Sequence, residues 1–191
     1  FDDFADQLIN LLDELEFNKI HLVGFSIGSL IARNFASKFN DRLETLTLLC
    51  SVFQRSKDQQ QIVNDRFELS KKNKSLSKQA LKRWFTDDYL IKNPNTCKKI
   101  TKILKKNNMK NFLKIYQLFV NHKDGEDFSK INTSTLIITG EGDVGSTPEM
   151  SEKLSKVISN SKLKIIAKGK HLCNIECADD VNKALKDHMN V

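Results

Sequence analysis

Three short segments of this sequence carry side chains that could support nucleophilic catalysis. The first is Gly24-Phe25-Ser26-Ile27-Gly28, a G-x-S-x-G pattern that follows an apolar run and precedes residues with helical spacing. In this setting a sharp turn between a strand and a helix exposes the serine hydroxyl, and the next backbone N–H can stabilise an oxyanion. Ser26 is therefore the predicted nucleophile, and Ile27 is the predicted oxyanion donor.

A serine hydroxyl becomes a good nucleophile only when a base removes its proton. Asp143 lies at the end of the segment G-E-G-D, and His171 ends K-G-K-H; each segment follows an apolar run. The chain order serine, aspartate, histidine is that of serine hydrolases with a nucleophile elbow. We predict His171 as the base and Asp143 as the acid, with Glu141 as an alternative acid on the same loop. The other histidines are predicted to be structural or solvated: His21, His122 and His188.

Four short apolar runs must position these loops, at 19–24, 43–50, 135–140 and 163–167. Each is too short for a helix, and helical patterns separate them. The first helix is predicted to end near Phe17, the helix after the third run to begin at Thr147-Pro148, and the last to run from about Ile175 to His188. Alternating strands and helices predict an α/β fold with a parallel sheet covered by helices on both faces, so the three loops should meet at one sheet edge.

The interval from residue 54 to residue 125 breaks this alternation, because it contains helical patterns and no convincing strand. We interpret it as a helical lid inserted into a hydrolase core formed by residues 1–53 and 126–191. Three or four helical patterns are predicted there: one around Ile62 to Leu69; one with Leu76, Ala80, Leu81, Trp84 and Phe85; one with Ile100, Ile103 and Leu104 after Asn93-Pro94; and one with Phe112, Leu113, Tyr116, Phe119 and Val120.

The formal net charge of +7 is concentrated in the lid, where residues 71–114 carry fourteen Lys and Arg against two Asp. Such a field attracts anions, although a solvated helical face is the simpler interpretation. The stretch lacks the aromatic pattern of a nucleic-acid-binding module, so we predict no nucleic-acid partner. No apolar run approaches the ~20 residues of a membrane span, and we predict no membrane partner.

The four cysteines lack the dense spacing of a secreted disulfide scaffold, which favours a reducing, cytoplasmic location. Cys173 and Cys177 could be drawn with His171 as metal ligands. However, no second pair of Cys or His completes a tetrahedral site, and we predict two half-buried thiols and no metal. The pattern gives no indication of the oligomeric state.

Three further motifs point to a particular protein family: Arg83-Trp84-Phe85-Thr86, Ser146-Thr147-Pro148, and the segment 171–176, HLCNIE. With them the chain resembles the α/β hydrolases and, within these, the 3-oxoadipate enol-lactonases of aromatic-compound degradation. The resemblance implies hydrolysis of a small, anionic lactone or ester through an acyl-enzyme, without a cofactor. It also implies that Trp84 lines the pocket mouth, although packing in the lid core is an equal alternative. Asn174 and Glu176 are expected to cap the last helix.

Two other functions stay open. One is a carboxylesterase or thioesterase of the same fold, and the other is a non-catalytic module that keeps the fold. The resembling enzymes also have strands before the helix at Phe1, and a loop after one of these strands supplies a second oxyanion N–H. We therefore expect a chain that begins inside the fold. Without the second oxyanion N–H, its turnover is expected to be reduced by about 100-fold to 1,000-fold.

Overall fold

The computed structural model describes residues 1–72 and 78–191, together with the backbone of Ser77 in a helix. Four strands and ten α-helices are present in these residues. In chain order they are α1 (Asp2–Glu14), β1 (Ile20–Phe25), α2 (Ile27–Lys38), β2 (Leu43–Leu49), α3 (Lys57–Lys71), α4 (Ser77–Trp84), α5 (Asp87–Lys92), α6 (Pro94–Lys105), α7 (Met109–Val120), β3 (Thr135–Gly140), α8 (Pro148–Val157), β4 (Ser161–Ile166), α9 (Cys173–Glu176) and α10 (Ala178–Met189).

The strands form one parallel sheet in the order β1-β2-β3-β4. Every residue of β3 is buried, and in β2 only Glu44 is exposed, because these two strands lie at the centre of the sheet. One face packs against α1, α2 and α8, and the other against α9 and α10. The predicted α/β fold, with a parallel sheet flanked by helices, is confirmed.

Most predicted element boundaries agree with the structure, but α1 ends at Glu14, before the predicted end near Phe17, and the predicted last helix is interrupted. The predicted last helix divides into the short α9 and the longer α10, with a break at Cys177. Val181 of α10 is buried against the sheet. Pro148 occupies the first turn of α8, and the Thr147 hydroxyl accepts a hydrogen bond from the Met150 N–H at 3.3 Å, as expected for a capped helix start.

The interval 54–125, called the insertion below, contains α3 to α7 between β2 and β3. Helix α5 was not predicted, and Ile103, part of the predicted pattern of α6, is 63% exposed. The predicted position of Leu76 lies outside the described residues. Helices α3 and α7 pack around Val63, Phe67 and Val120, which form a hydrophobic cluster separate from those on the sheet.

None of the described helices is both long enough and apolar enough to cross a membrane. All four cysteines are free thiols.

Candidate active site

Ser26 stands at the turn between β1 and α2, in a backbone conformation that L-residues rarely adopt. Its φ is 54° and its ψ is −119°, which is the strained turn that lifts a hydroxyl above the sheet edge. Gly24 permits this turn, because a Cβ there would lie 2.7 Å from the Ala32 Cβ on α2. A Cβ on Gly28 would meet nothing within 4 Å, so close packing requires glycine at Gly24 and not at Gly28.

The loops after β3 and β4 bring the other two predicted residues to the same edge. The Nε2 atom of His171 lies 3.0 Å from the Ser26 Oγ, and its Nδ1 lies 2.7 Å from the Asp143 Oδ2. A carboxylate at Nδ1 favours the tautomer in which Nδ1–H donates to it, and Nε2 is then free to accept the serine proton. The structure thus brings Ser26, His171 and Asp143 into one chain of hydrogen bonds.

Asp143 is fixed in this arrangement from its other side. It is 3% exposed, and its Oδ1 accepts hydrogen bonds from the Gly145 N–H at 2.8 Å and the Ser146 N–H at 3.0 Å. Glu141, the alternative acid, is exposed, and its Oε2 accepts from the Lys168 N–H at 3.1 Å instead of approaching His171. Position therefore favours Asp143 over Glu141 as the partner of His171.

The acid and base loops also touch directly through their backbones. A Cβ added to Gly140, the last residue of β3, would lie 2.5 Å from the Gly169 carbonyl oxygen, so only glycine fits there. The Gly142 N–H donates to the same carbonyl at 2.9 Å. These contacts hold the loop of Asp143 against the loop of His171.

Two thiols, Cys50 and Cys173, are fully buried close to His171, so the prediction that Cys173 is half-buried is wrong. Their sulfur atoms are 3.8 Å apart, and the Cys50 thiol donates to the His171 carbonyl oxygen at 3.3 Å. The hydrogen bond with Cys173, assisted by burial, raises the pKa of Cys50 well above its usual value. Cys50 is therefore a neutral donor that supports the backbone of His171 from below.

Ile27 is the first residue of α2, where backbone N–H groups have no acceptor within the helix. No acceptor for the Ile27 N–H lies among the described residues. This N–H is therefore available to an anion next to Ser26, which is the position expected of an oxyanion donor.

The insertion contacts the loop that carries His171 at several points. The Leu172 N–H donates to the Trp84 carbonyl oxygen at 3.0 Å, and the Thr86 N–H donates to the Glu176 Oε1 at 3.0 Å. The Thr86 hydroxyl donates to the same Glu176 oxygen. Glu176 thus joins α9 to the insertion, and the expectation that it caps the last helix is wrong. Asn174 does not cap that helix either, because the cap of α10 at Cys177 makes no side-chain hydrogen bond.

Trp84 is half-buried at the end of α4, one residue from Phe85, which is fully buried and stacked on Tyr89 at 4.8 Å. The Trp84 backbone is placed beside the base loop by its bond to Leu172. A role for its ring at the pocket mouth stays a prediction.

The remaining histidines make structural contacts away from Ser26. The Nδ1 of His21 lies 2.9 Å from the Thr45 hydroxyl, and the Nε2 of His188 lies 3.1 Å from the Leu46 carbonyl oxygen. Burial lowers the pKa of His188, which favours the neutral ring. His122 belongs to a charged cluster described next.

Two groups of described side chains come close enough together to hold a metal ion. In one, His122, Asp124 and Glu126 surround a position that the Arg33 Nη2 already occupies, at 2.8 Å from Asp124 and 2.9 Å from Glu126. In the other, Cys50 joins Asp143 and His171, which already bind each other. Cys177 belongs to neither group. In both groups the side chains already make hydrogen bonds within the protein.

The chain matches the sequence model of one protein family, described as the alpha/beta hydrolase fold, over residues 1–177. A curated relative, (E)-2-((N-methylformamido)methylene)succinate hydrolase from Acinetobacter baylyi, is 26% identical over 188 residues; the match covers 96% of this chain and 70% of the relative.

Solved structures show the same architecture. The enol-lactonase from Burkholderia xenovorans LB400 is 22% identical with a TM-score of 0.85, and the match covers 100% of this chain and 73% of that one. A thermophilic esterase from Thermogutta terrifontis is 23% identical with a TM-score of 0.84, covering 97% of this chain and 70% of that one.

Proposed function

Because this chain belongs to the α/β-hydrolase fold family, we propose that it is a serine hydrolase that cleaves a small ester or lactone through an acyl-enzyme. The observation that carries the proposal is the continuous chain of hydrogen bonds from Asp143 through His171 to Ser26, at 2.7 and 3.0 Å. Both distances are within the reach that proton transfer needs.

In the first step, the Ser26 Oγ attacks the carbonyl carbon while the His171 Nε2 takes the hydroxyl proton. Asp143 accepts a hydrogen bond from the Nδ1–H of His171 and stabilises the imidazolium that forms. The oxyanion of the tetrahedral intermediate lies next to the Ile27 N–H at the start of α2, where the helix dipole is also favourable. The carbonyl then reforms, the bond to the leaving oxygen breaks, and the imidazolium protonates that oxygen.

In the second step, His171 takes a proton from water, and the hydroxide adds to the acyl carbon. The new tetrahedral intermediate breaks its bond to the Ser26 Oγ, which recovers its proton from His171. A carboxylic acid leaves, and the enzyme returns to its starting state. A lactone follows the same course, except that the leaving oxygen stays attached to the product. Water is the only co-reactant of the complete reaction, and it enters in the second step.

For the substrate, we favour a carboxylated enol-lactone of the 3-oxoadipate type. Support comes from the lid and base motifs and from the printed names of two similar proteins, an enol-lactonase and a hydrolase of a succinate derivative. We further propose that the insertion acts as a lid over this site, because its residues 84 and 86 bond to the base loop. Simple carboxylic esters or thioesters are the alternative substrates.

The test is labelling of the purified protein with a fluorophosphonate probe, read by intact mass. We expect one adduct in the wild type and none in Ser26→Ala. Ser155→Ala is the matched control, because Ser155 is only half-buried on α8 and its hydroxyl bonds only to the Glu152 carbonyl oxygen within the described residues. Equal labelling of all three proteins would contradict Ser26 as nucleophile, and no labelling of folded wild type would favour a non-catalytic module.

A further inference from the structure

The sulfur atoms of Cys50 and Cys173 lie 3.8 Å apart, although 123 positions separate the two residues in the chain. Both residues are fully buried, in the hydrophobic cluster between the sheet and α10. A disulfide bond is about 2.05 Å long, so the two sulfurs would have to approach each other by about 1.8 Å. Changes in side-chain torsions and a small shift of one loop are enough for an approach of this size.

The backbone of Cys50 is fixed at the end of β2. Its φ is 53°, a left-handed conformation that costs an L-residue free energy and persists only where its surroundings enforce it. The Cys50 N–H donates to the Ile138 carbonyl oxygen of the neighbouring β3 at 2.8 Å. Cys173 instead begins the four-residue α9, in the loop that carries His171. The approach must therefore come mainly from the Cys173 side, which belongs to the loop of the proposed base.

Formation of a disulfide between these residues would disturb His171 in two ways. The Cys50 thiol donates to the His171 carbonyl oxygen at 3.3 Å, and a disulfide has no S–H to donate. Cys173 also follows His171 by only two residues, and its N–H donates to the Lys170 carbonyl oxygen at 3.1 Å. A shift of Cys173 is therefore transmitted to the backbone on both sides of His171, whose Nε2 must stay within about 3.2 Å of the Ser26 Oγ for proton transfer.

The two thiols differ in how readily they ionise. The hydrogen bond from Cys50 lowers the pKa of Cys173, although burial and the charge of Asp143 oppose this effect. The same hydrogen bond, together with burial, raises the pKa of Cys50. Because thiolates attack oxidants and thiols do not, Cys173 is the first sulfur to react, and Cys50 is the partner that follows. Burial raises the pKa of the half-buried Cys177, which disfavours that thiol as the attacking group.

Burial also limits which oxidant can reach the pair. A bulky disulfide such as oxidised glutathione cannot touch a sulfur that the protein encloses completely. Hydrogen peroxide is small and neutral, and it forms hydrogen bonds much as water does. Small fluctuations of the base loop, where the His171 side chain is 15% exposed, are sufficient to admit it. A small hydroperoxide is therefore the class of reactant that fits this site.

We propose that Cys50 and Cys173 form a site of reversible oxidative modification, at which hydrogen peroxide produces a disulfide that displaces His171 and switches the hydrolase off. The Cys173 thiolate attacks one peroxide oxygen, the O–O bond breaks, and a sulfenic acid and hydroxide form; the hydroxide takes up the proton that Cys173 released. The Cys50 sulfur then attacks the Cys173 sulfur, the S–O bond breaks, and the departing hydroxide leaves as water with the Cys50 proton. Two thiols are oxidised to one disulfide, and one peroxide is reduced to two water molecules.

The modification itself is independent of the proposed function, and only its effect on activity rests on that function. The first experiment therefore needs no turnover. Purified protein is treated with hydrogen peroxide, unfolded in the presence of N-ethylmaleimide, and analysed by intact mass and by peptide mapping without reduction. We expect two of the four cysteines to escape alkylation, a cross-linked peptide that joins Cys50 to Cys173, and full alkylation after treatment with dithiothreitol.

Cys97→Ser and Cys177→Ser are the matched controls, since both residues are half-buried free thiols. Each variant should still form the cross-link between Cys50 and Cys173. Alkylation of all four thiols in the peroxide-treated wild type would overturn the inference. A cross-link from Cys173 to Cys177, or a loss of alkylation that dithiothreitol does not reverse, would overturn it as well.

The second experiment measures the switch through the rate at which the fluorophosphonate labels Ser26. Peroxide should lower this rate about 100-fold in the wild type, because a misplacement of about 1 Å can cost a factor of this size. Dithiothreitol should restore the rate, and since it does not reduce methionine sulfoxide, recovery identifies a thiol modification. Cys177→Ser should respond as the wild type does, whereas Cys173→Ala should label at the same rate with and without peroxide.

The two experiments together separate the modification from the proposed function. A wild type that forms the cross-link but labels at an unchanged rate would overturn the switch. A wild type that forms the cross-link but shows no labelling even before oxidation would contradict the proposed function and still support the modification site.

Discussion

Replacing Arg33 with methionine should strongly destabilise the protein, because Arg33 is a fully buried cation. Its guanidinium donates to the Val52 carbonyl oxygen at 2.8 Å, and it pairs with Asp124 at 2.8 Å and with Glu126 at 2.9 Å. The side chains of these acids are only 20% and 5% exposed. Methionine would fill much of the same space but would leave two carboxylates without their cation.

The expected loss is about 3–5 kcal/mol in the free energy of unfolding, the usual cost of breaking a buried ion pair by removing one partner. The assay is urea denaturation at pH 7 followed by circular dichroism. The triple variant Arg33→Met, Asp124→Asn, Glu126→Gln should recover most of the loss, because no uncompensated charge remains. Lys38→Met, which breaks an exposed pair with Asp2 at 2.7 Å, should have a far smaller effect.

The same cluster predicts how stability depends on pH. Burial would raise the pKa of Asp124, but the hydrogen bond with His122 and the charge of Arg33 outweigh it and hold the pKa well below 3.8. The stabilisation by Asp124 is therefore present above the unfolded-state value of 3.8 and is lost as the pH falls below it towards the folded-state pKa. Arg33→Met should weaken this acid dependence. The argument about the buried ion pair would be refuted if Arg33→Met lost less than about 1 kcal/mol in the free energy of unfolding. It would also be refuted if the triple variant were as unstable as Arg33→Met.

Three further outcomes are expected. Asp143→Asn should lower kcat by about 10³-fold to 10⁴-fold without unfolding the protein, because the amide favours the wrong tautomer of His171; ester hydrolysis and circular dichroism test both parts. Glu176→Gln should lower kcat/KM about 10-fold by weakening the bonds to Thr86, and an unchanged value would show that this junction does not position the base. Gly24→Ala should cost about 2 kcal/mol or more, measured by urea denaturation, since its Cβ would collide with Ala32.

The sequence was sufficient to predict the fold and the meeting of three loops, because both depend on local patterns. Short apolar runs separated by helical spacing define parallel strands, and parallel strands bring their carboxyl ends to one edge. Ser26, Asp143 and His171 each follow such a run, so their proximity needed no knowledge of side-chain packing.

Contacts between distant segments could not be predicted in this way. Nothing near Glu176 indicates that its partner is Thr86, ninety residues earlier, and a carboxylate near a helix start is more often a cap. Cys50 was predicted only as the end of a strand, and its bond to the His171 carbonyl oxygen depends on how two loops pack. The buried position of Arg33 was also missed, since arginine on an amphipathic helix usually faces solvent.

The junction between the insertion and the base loop limits how the insertion can move. Residues 82, 84 and 86 bond to residues 170, 172 and 176, so this short stretch is tied to both flanks of His171. A movement that broke these hydrogen bonds would disturb the position of His171 as well as the entrance of the proposed active site. A movement that kept them must pivot about residues 82–86, and its amplitude would grow with distance from that axis. Entry of a substrate would then be widest on the side remote from His171, with this proposed general base held at the fixed end of the hinge.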